Sequence, residues 1–243
     1  MKRLPIAYQG ELHQVKLINF SVDADEIRER IPAAIPMWTE HGRALISMVN
    51  VQLHGMRPAG LPENLGAQYQ HIGFRVLVND APAGGGTNRG IFFLQSFTDK
   101  PWVVRLGRQL TNYRLELGAI RDENYLFELQ QGDRYLHYAC TDLPVKTPQP
   151  ELRQTVKAVD RAYATIGRQV FATVIERDGW PLEDLDCYFF ETNFFETAQL
   201  EGAFRIRTVI PYRWNAPRQV VLPAVANKKP DCATTAPVRL QMH

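Results

Sequence analysis

A chain of 243 residues with 28 Lys and Arg against 26 Asp and Glu has a formal charge of +2, and those charges are spread along it, so no basic tract points to nucleic acid or an anionic membrane. No apolar run reaches the roughly 18 residues of a transmembrane helix, and the N-terminal Met1-Lys-Arg-Leu-Pro-Ile-Ala-Tyr-Gln-Gly10 lacks the apolar centre of a signal peptide. With 45% hydrophobic and 22% charged residues the composition is that of an ordinary globular protein, and a cytoplasmic location is the expectation.

Glu11 to Val22 reads as a strand, followed by a short helix in which Ile27 and Ile31 lie one turn apart, with Asp23 as cap and Pro32 and Pro36 as its end. Arg43 to Leu53 puts Leu45, Val49, Val51 and Leu53 on one face and Ile46 and Met48 on the other, a strand covered on both sides. Gly55 to Pro62 is a loop, and Gln68 to Asn79 resumes as a strand. The glycines at 84 to 86 make a hairpin loop, since neither a helix pattern nor Gly-Lys-Ser/Thr follows them to form a phosphate cradle.

Arg89 to Leu117 reads as a strand (Ile91 to Phe97), a short helix begun near Thr98, Asp99 and Pro101, and a second strand opening at Asn112. Trp102, Leu106 and Leu110 can share one face of that helix, and this unit is expected to build the wall of any interior site. Asn124 to Cys140 is a hairpin turning at Gly132. Glu151 to Ile166 has a helical spacing of Val156, Val159, Tyr163 and Ile166, which Gly167 stops before a strand from Gln169 to Glu176. Asp186 to Ala198 and Ala203 to Trp214 are late strands, and residues 226–243 form a polar, flexible tail. Residues 1–243 therefore read as one β-rich α+β domain, a barrel or strongly curved sheet with two or three outer helices.

Lys16-Leu-Ile-Asn-Phe-Ser-Val-Asp23 before a short helix and Pro32, Arg43-Ala-Leu-Ile-Ser-Met-Val49, Arg57-Pro-Ala-Gly-Leu-Pro62, Arg75-Val-Leu-Val78, Gly90-Ile-Phe-Phe-Leu94 and Trp180-Pro-Leu182 follow one another between residues 12 and 185. In that order they resemble the uncharacterised bacterial proteins grouped with the acetoacetate decarboxylase-like superfamily. The resemblance implies a single antiparallel β-barrel or cone around a largely apolar cavity. In the decarboxylase itself a cavity lysine forms a Schiff base with a β-keto acid, and an adjacent lysine keeps that amine neutral. An ordinary lysine, with pKa about 10.4, is almost wholly protonated at neutral pH and does not attack a carbonyl. Where the decarboxylase carries Pro-Lys-Lys this chain reads Thr111-Asn-Tyr-Arg114, without a lysine pair. Lys100, Lys16, Lys146, Lys157 and Lys228-Lys229 stand elsewhere, so Schiff-base decarboxylation requires Lys16 or Lys100 to point inward.

Four residues form the candidate ligand site: His71, Arg75, Tyr113 and Arg114. His71 and Arg75 fall on one face of a strand, and relatives often have a Glu at the position of His71. An inward Arg binds a carboxylate through two parallel hydrogen bonds. The structural alternative pairs Arg75 with Glu116 or Glu128 and leaves His71 at the rim. Tyr113 and Arg114 stand where the decarboxylase holds its lysines, and either bind an anionic or carbonyl-bearing ligand or serve packing.

Six histidines without His-x-His or His-Glu-x-x-His spacing give no metal site. Cys140, Cys187 and Cys232 lack Cys-x-x-Cys spacing and fit neither zinc nor a disulfide framework, so they read as reduced. No cofactor is implied. The expected function is a small-molecule-binding barrel with a partly apolar cavity for a carboxylate-bearing metabolite, and the alternative is a lyase or hydrolase acting on a keto acid in the same cavity. The expected partner is the ligand alone, without nucleic acid or membrane, and a homo-oligomer is compatible with the sequence.

Overall fold

The computed structural model describes residues 6–81, 86–110, 115–123, 125–145, 147–177 and 179–222. The expected tail, 226–243, lies outside them. In chain order the elements are β1 (Tyr8–Asp23), α1 (Ala24–Arg28), β2 (Thr39–Glu40), β3 (Arg43–Pro58), a 3₁₀ turn (Glu63–Leu65), β4 (Ala67–Val78), β5 (Gly90–Thr98), α2 (Pro101–Leu110), β6 (Leu115–Leu117), β7 (Ala119–Glu123), β8 (Leu126–Gln131) and β9 (Arg134–Thr141). They continue as α3 (Pro150–Ala158), β10 (Arg161–Ile166), β11 (Gln169–Arg177), β12 (Glu183–Thr192), β13 (Gln199–Ile206), β14 (Ile210–Trp214) and β15 (Arg218–Val220).

Seven strands close a barrel, in the order β1, β3, β4, β5, β10, β11, β14 and back to β1. Its pairings are antiparallel except that of β10 with β5, which is parallel. Parallel neighbours need a long crossover. Here the crossover contains α2, α3 and most of a second sheet, β7–β8–β9–β12–β13, which grows from the far half of β1.

The fork lies within β1. Tyr8 to Leu12 pair with β14, Val15 to Ser21 pair with β13, and β3 runs beside both halves with a register shift between His13 and Lys16. Gln14 at that shift has φ 51, a left-handed conformation that a β-bulge accommodates and that bends the strand from one partner to the other.

The wall made by β1, β3 and β4 is buried on both faces. Its outer face carries Ile18, Phe20, Ile46, Met48, Ile72, Phe74 and Val76 against Phe127, Leu129, Leu136, Phe194 and Phe195 of the second sheet and its loops. Phe74 is its hub, in edge-to-face contact with Phe20, Phe97 and Phe195 at ring separations of 6.3, 5.8 and 5.3 Å. The inner face packs Leu17, Val49 and Val51 with Trp180, Phe204 and Val156 of α3, and Leu45 and Leu77 with Ile91, Ala162 and Ile175.

Two local expectations are corrected. The helix expected over Glu151 to Ile166 ends at Ala158, and Arg161–Ile166 is a strand whose hairpin with β11 turns at Gly167, φ 60. Pairing with β5 and β11 satisfies its backbone and outweighs the helical spacing. Asp23 stands at the start of α1 without a side-chain cap bond, because its carboxylate accepts from Arg43 at 2.7 Å. Trp102 and Leu106 do share one face of α2, the exposed one, while Val103 and Val104 are buried.

Truncating Phe74 to Ala removes the hub of the outer core and leaves a cavity, with an expected loss of about 3–5 kcal/mol. Urea unfolding of Phe74→Ala beside the wild type measures it.

Candidate functional site

Side chains two apart on a strand share a face. On β4, Tyr69, His71, Gly73, Arg75 and Leu77 therefore point away from the outer core and into the barrel. Phe93 on β5 confirms the direction: its ring lies 5.8 Å from that of Trp214 on β14, although β10 and β11 separate the two strands along the wall. A bulge in β5, where Leu94 is the extra residue between the partners of Phe74 and Arg75, turns Phe93 inward. Gly73 makes room for it, since a Cβ there would stand 2.8 Å from Phe93 Cε1 and 3.2 Å from His71 Nε2. The His71 ring meets Phe93 edge-on at 6.3 Å.

Arg75 donates through Nε to the Ser47 carbonyl and through a terminal nitrogen to Ser47 Oγ, both at 3.0 Å. Across the barrel Arg177, in register with Tyr212, donates to the Val159 carbonyl and lies 4.1 Å over the Trp180 ring. Glu116 and Glu128, the acids considered for Arg75, are engaged elsewhere: Glu116 accepts from Gln95 and Gln131, and Glu128 faces Arg121. Asp160, which acts favourably on Arg177, is itself paired with Arg89 and Arg161. Among the described residues neither Arg75 nor Arg177 forms an ion pair with a carboxylate. The Ser96 hydroxyl, opposite Gly73, is buried with no hydrogen-bond partner among the described residues.

Burial shifts both groups on β4. Burial first, and the Arg75 charge second, lower His71 to about 4, so its imidazole is neutral at physiological pH. Burial, then Arg177, lowers Arg75 to about 10, which still leaves it charged. Yet His71, Arg75, Phe93, Arg177, Tyr212 and Trp214 are each only half-buried. Arg177 and Tyr212 also line a groove of about 350 Å³ whose rim includes Arg57, Arg213, Glu63 and Glu176.

Of the four expected site residues, His71 and Arg75 come together on the inner face, deep instead of at the rim. Tyr113 and Arg114 lie outside the described residues. Arg177, Tyr212, Phe93 and Ser47 join His71 and Arg75 on that inner face without a sequence motif to mark them. Alternation along β11 from Thr173 through Ile175 marks Arg177 as inward, but its approach to Arg75 depends on a barrel closure that no local pattern encodes.

Lys146, Lys228 and Lys229 lie outside the described residues, and the lysines within them have other roles. Lys16 projects from the opposite face of the wall and pairs with Asp122 at 2.8 Å, and Asp122 also accepts from Asn50 at 2.8 Å. Lys100 pairs with Asp99 at 2.8 Å, and Lys157 is exposed on α3.

The family model DUF2071, described as an uncharacterized conserved protein, matches residues 9–219. No curated protein sequence matches. Among solved structures, acetoacetate decarboxylase from Legionella pneumophila subsp. pneumophila str. Philadelphia 1 is similar at 12% identity and TM-score 0.60, over 88% of this chain and 86% of that one. An acetoacetate decarboxylase-like enzyme from Sphingomonas wittichii RW1 is similar at 11% identity and TM-score 0.55, over 90% and 95%. The enduracididine biosynthesis enzyme MppR, complexed with pyruvate, is similar at 13% identity and TM-score 0.50, over 90% and 91%. At these identities the likeness establishes the acetoacetate decarboxylase-like fold.

Between the ordinary histidine value of 6.5 and the folded value of about 4, the unfolded chain binds a proton at residue 71 that the folded chain refuses. Stability is therefore lost as pH falls through that window, and His71 adds no further loss below it. Between pH 7 and pH 4.5, His71→Gln is expected to lose about 2–3 kcal/mol less than the wild type, measured by urea unfolding at the two pH values. Equal losses would count against an enclosed, neutral His71.

Proposed function

The chain belongs to the DUF2071 family, and from that premise we propose that its barrel is the binding chamber for a small molecule bearing a carboxylate, with Arg75 and Arg177 as the anion-recognising pair. The observation that carries the reading is two half-buried guanidinium groups that act on each other from the inner face of the barrel wall, without a carboxylate partner among the described residues. A buried charge is costly unless it is paired. An incoming carboxylate supplies the missing countercharge and accepts the planar, paired hydrogen bonds that guanidinium offers. Neutral His71 and the Ser96 hydroxyl add uncharged polar contacts, and Phe93, Trp214, Leu77 and Ile91 provide apolar wall for the rest of the molecule. The groove that ends at Arg177 and Tyr212 is the way in. A pyruvate complex of a protein with this fold is consistent with a carboxylate in such a barrel.

A second reading keeps the chamber and adds a reaction: a lyase or hydrolase acting on a keto acid, with His71 as the base. What favours it is that His71 is held unprotonated by burial and by Arg75 on the same face of β4. Among the described residues no lysine supports covalent catalysis, since Lys16 and Lys100 are ion-paired and Lys157 is exposed.

Calorimetric titration with short carboxylates and keto acids at pH 7 tests the proposal. Arg75→Gln is expected to weaken binding by about 10–100-fold, the worth of a charge-assisted pair. The uncharged amide of the same acid should not compete. Equal affinity for acid and amide would refute the carboxylate assignment, and turnover of the keto acid followed by NMR would favour the second reading.

A further inference from the structure

Two of the three cysteines, far apart in sequence, meet in the second sheet. Cys140 on β9 and Cys187 on β12 are direct partners across an antiparallel pair. Such partners alternate between those that exchange both backbone hydrogen bonds and those that exchange none, and the second kind brings the Cα atoms to about 4.5 Å with the side chains closest. The Cys140 amide donates at 2.9 Å to the carbonyl of Tyr125, on the β8 side of the strand. Its hydrogen-bonding edge is thus turned away from β12, and Cys140 with Cys187 is the close kind of pair. A disulfide spans Cα separations of about 4.4–6.8 Å, so this position accepts one without moving the backbone far.

The side chains agree. Cys140 is buried at the margin of the outer core, and Cys187 packs against that core while remaining half-exposed. The thiols touch: contact with the Cys140 thiol lowers the pKa of Cys187, and the same contact raises that of Cys140. The Cys187 thiol also reaches the Phe189 carbonyl at 3.3 Å, beside a bulge in β12 that interrupts the ladder there. One thiol is therefore the more acidic and the more accessible, and its partner waits behind it, the arrangement of an attacking and a resolving cysteine.

We propose that Cys140 and Cys187 form a reversible dithiol–disulfide site, oxidised by a low-molecular-weight disulfide. The Cys187 thiolate attacks one sulfur of the reagent, forming a mixed disulfide and releasing one reagent thiolate. Cys140 then gives up its proton and attacks Cys187 Sγ, closing the intramolecular bond and releasing the second thiolate. Two electrons pass from the protein to the reagent, and the two protons lost by the cysteines appear on the two reagent thiols. The bond clamps β9 to β12 next to Tyr138, whose hydroxyl accepts from Asn50 at 2.8 Å.

The experiment uses full-length protein with Cys232→Ser, which leaves these two cysteines alone. After incubation with oxidised glutathione at pH 8, the folded protein is expected to lose both titratable thiols and two hydrogens in mass. Digestion should yield one cross-linked peptide pair containing residues 140 and 187, and dithiothreitol should restore both thiols. Adding Cys140→Ser should stop the reaction at a glutathione adduct on Cys187. Two free thiols after oxidation of the folded protein, stable glutathione adducts on both cysteines, or a cross-link that forms only in denaturant would each overturn the proposal.

Discussion

The alternation of side chains along β4 is the constraint on which the architecture and the site both rest. Ile72, Phe74 and Val76 enter the outer core, while His71, Gly73, Arg75 and Leu77 face the barrel, where Leu77 is buried and His71 and Arg75 are half-buried. A shift of register by one residue would exchange the two sets and put a histidine and an arginine among the phenylalanines. The register is therefore held by the cost of burying the wrong face as much as by the ladder hydrogen bonds. Gly73 and the bulge at Leu94 belong to the same device, since they admit the Phe93 ring beside His71.

An inward arginine is an expensive component of such a wall. Arg75 recovers part of its lost hydration through two hydrogen bonds to Ser47, but its charge is met by a second cation, Arg177. Proteins that bury a guanidinium for structure alone usually give it a carboxylate. The contrast with Lys16 is instructive, for that cation, on the other face of the same wall, has Asp122 at 2.8 Å and a completed hydrogen-bond network. One face of the wall balances its charge internally, and the other leaves Arg75 and Arg177 without a carboxylate partner among the described residues. The second arrangement suits an anion that comes and goes.

The barrel was legible where the signal is local. Doubly apolar Arg43 to Leu53, the Gln68 to Asn79 strand and the hairpin at Gly132 give the strands without any tertiary information, and the likeness to acetoacetate decarboxylase-like proteins supplies their order. The shared face of His71 and Arg75 follows from spacing alone. What could not be read depends on contacts between distant segments. The turn at Gly167 belongs to a hairpin because β10 finds β5, residues 90 to 92, across a crossover of more than sixty residues. The same holds for Arg177 and Tyr212, brought to Arg75 only when β14 closes on β1, and for Cys140 and Cys187, whose sequence spacing carries no sign that they are neighbours. The segment Thr111 to Arg114 differs from the decarboxylase lysines in residue type, and that difference, visible at once, directs attention from covalent chemistry to anion recognition.

The most direct test of the central claim, that the barrel interior recognises a carboxylate through Arg75 and Arg177, is a crystal structure of the protein soaked with a short carboxylic acid such as propionate, with a parallel soak in propionamide. The account predicts carboxylate density within hydrogen-bond distance of both guanidinium groups and none from the amide. Arg75 and Arg177 bonded to a protein carboxylate in the soaked crystal, with no ligand between them, would contradict it.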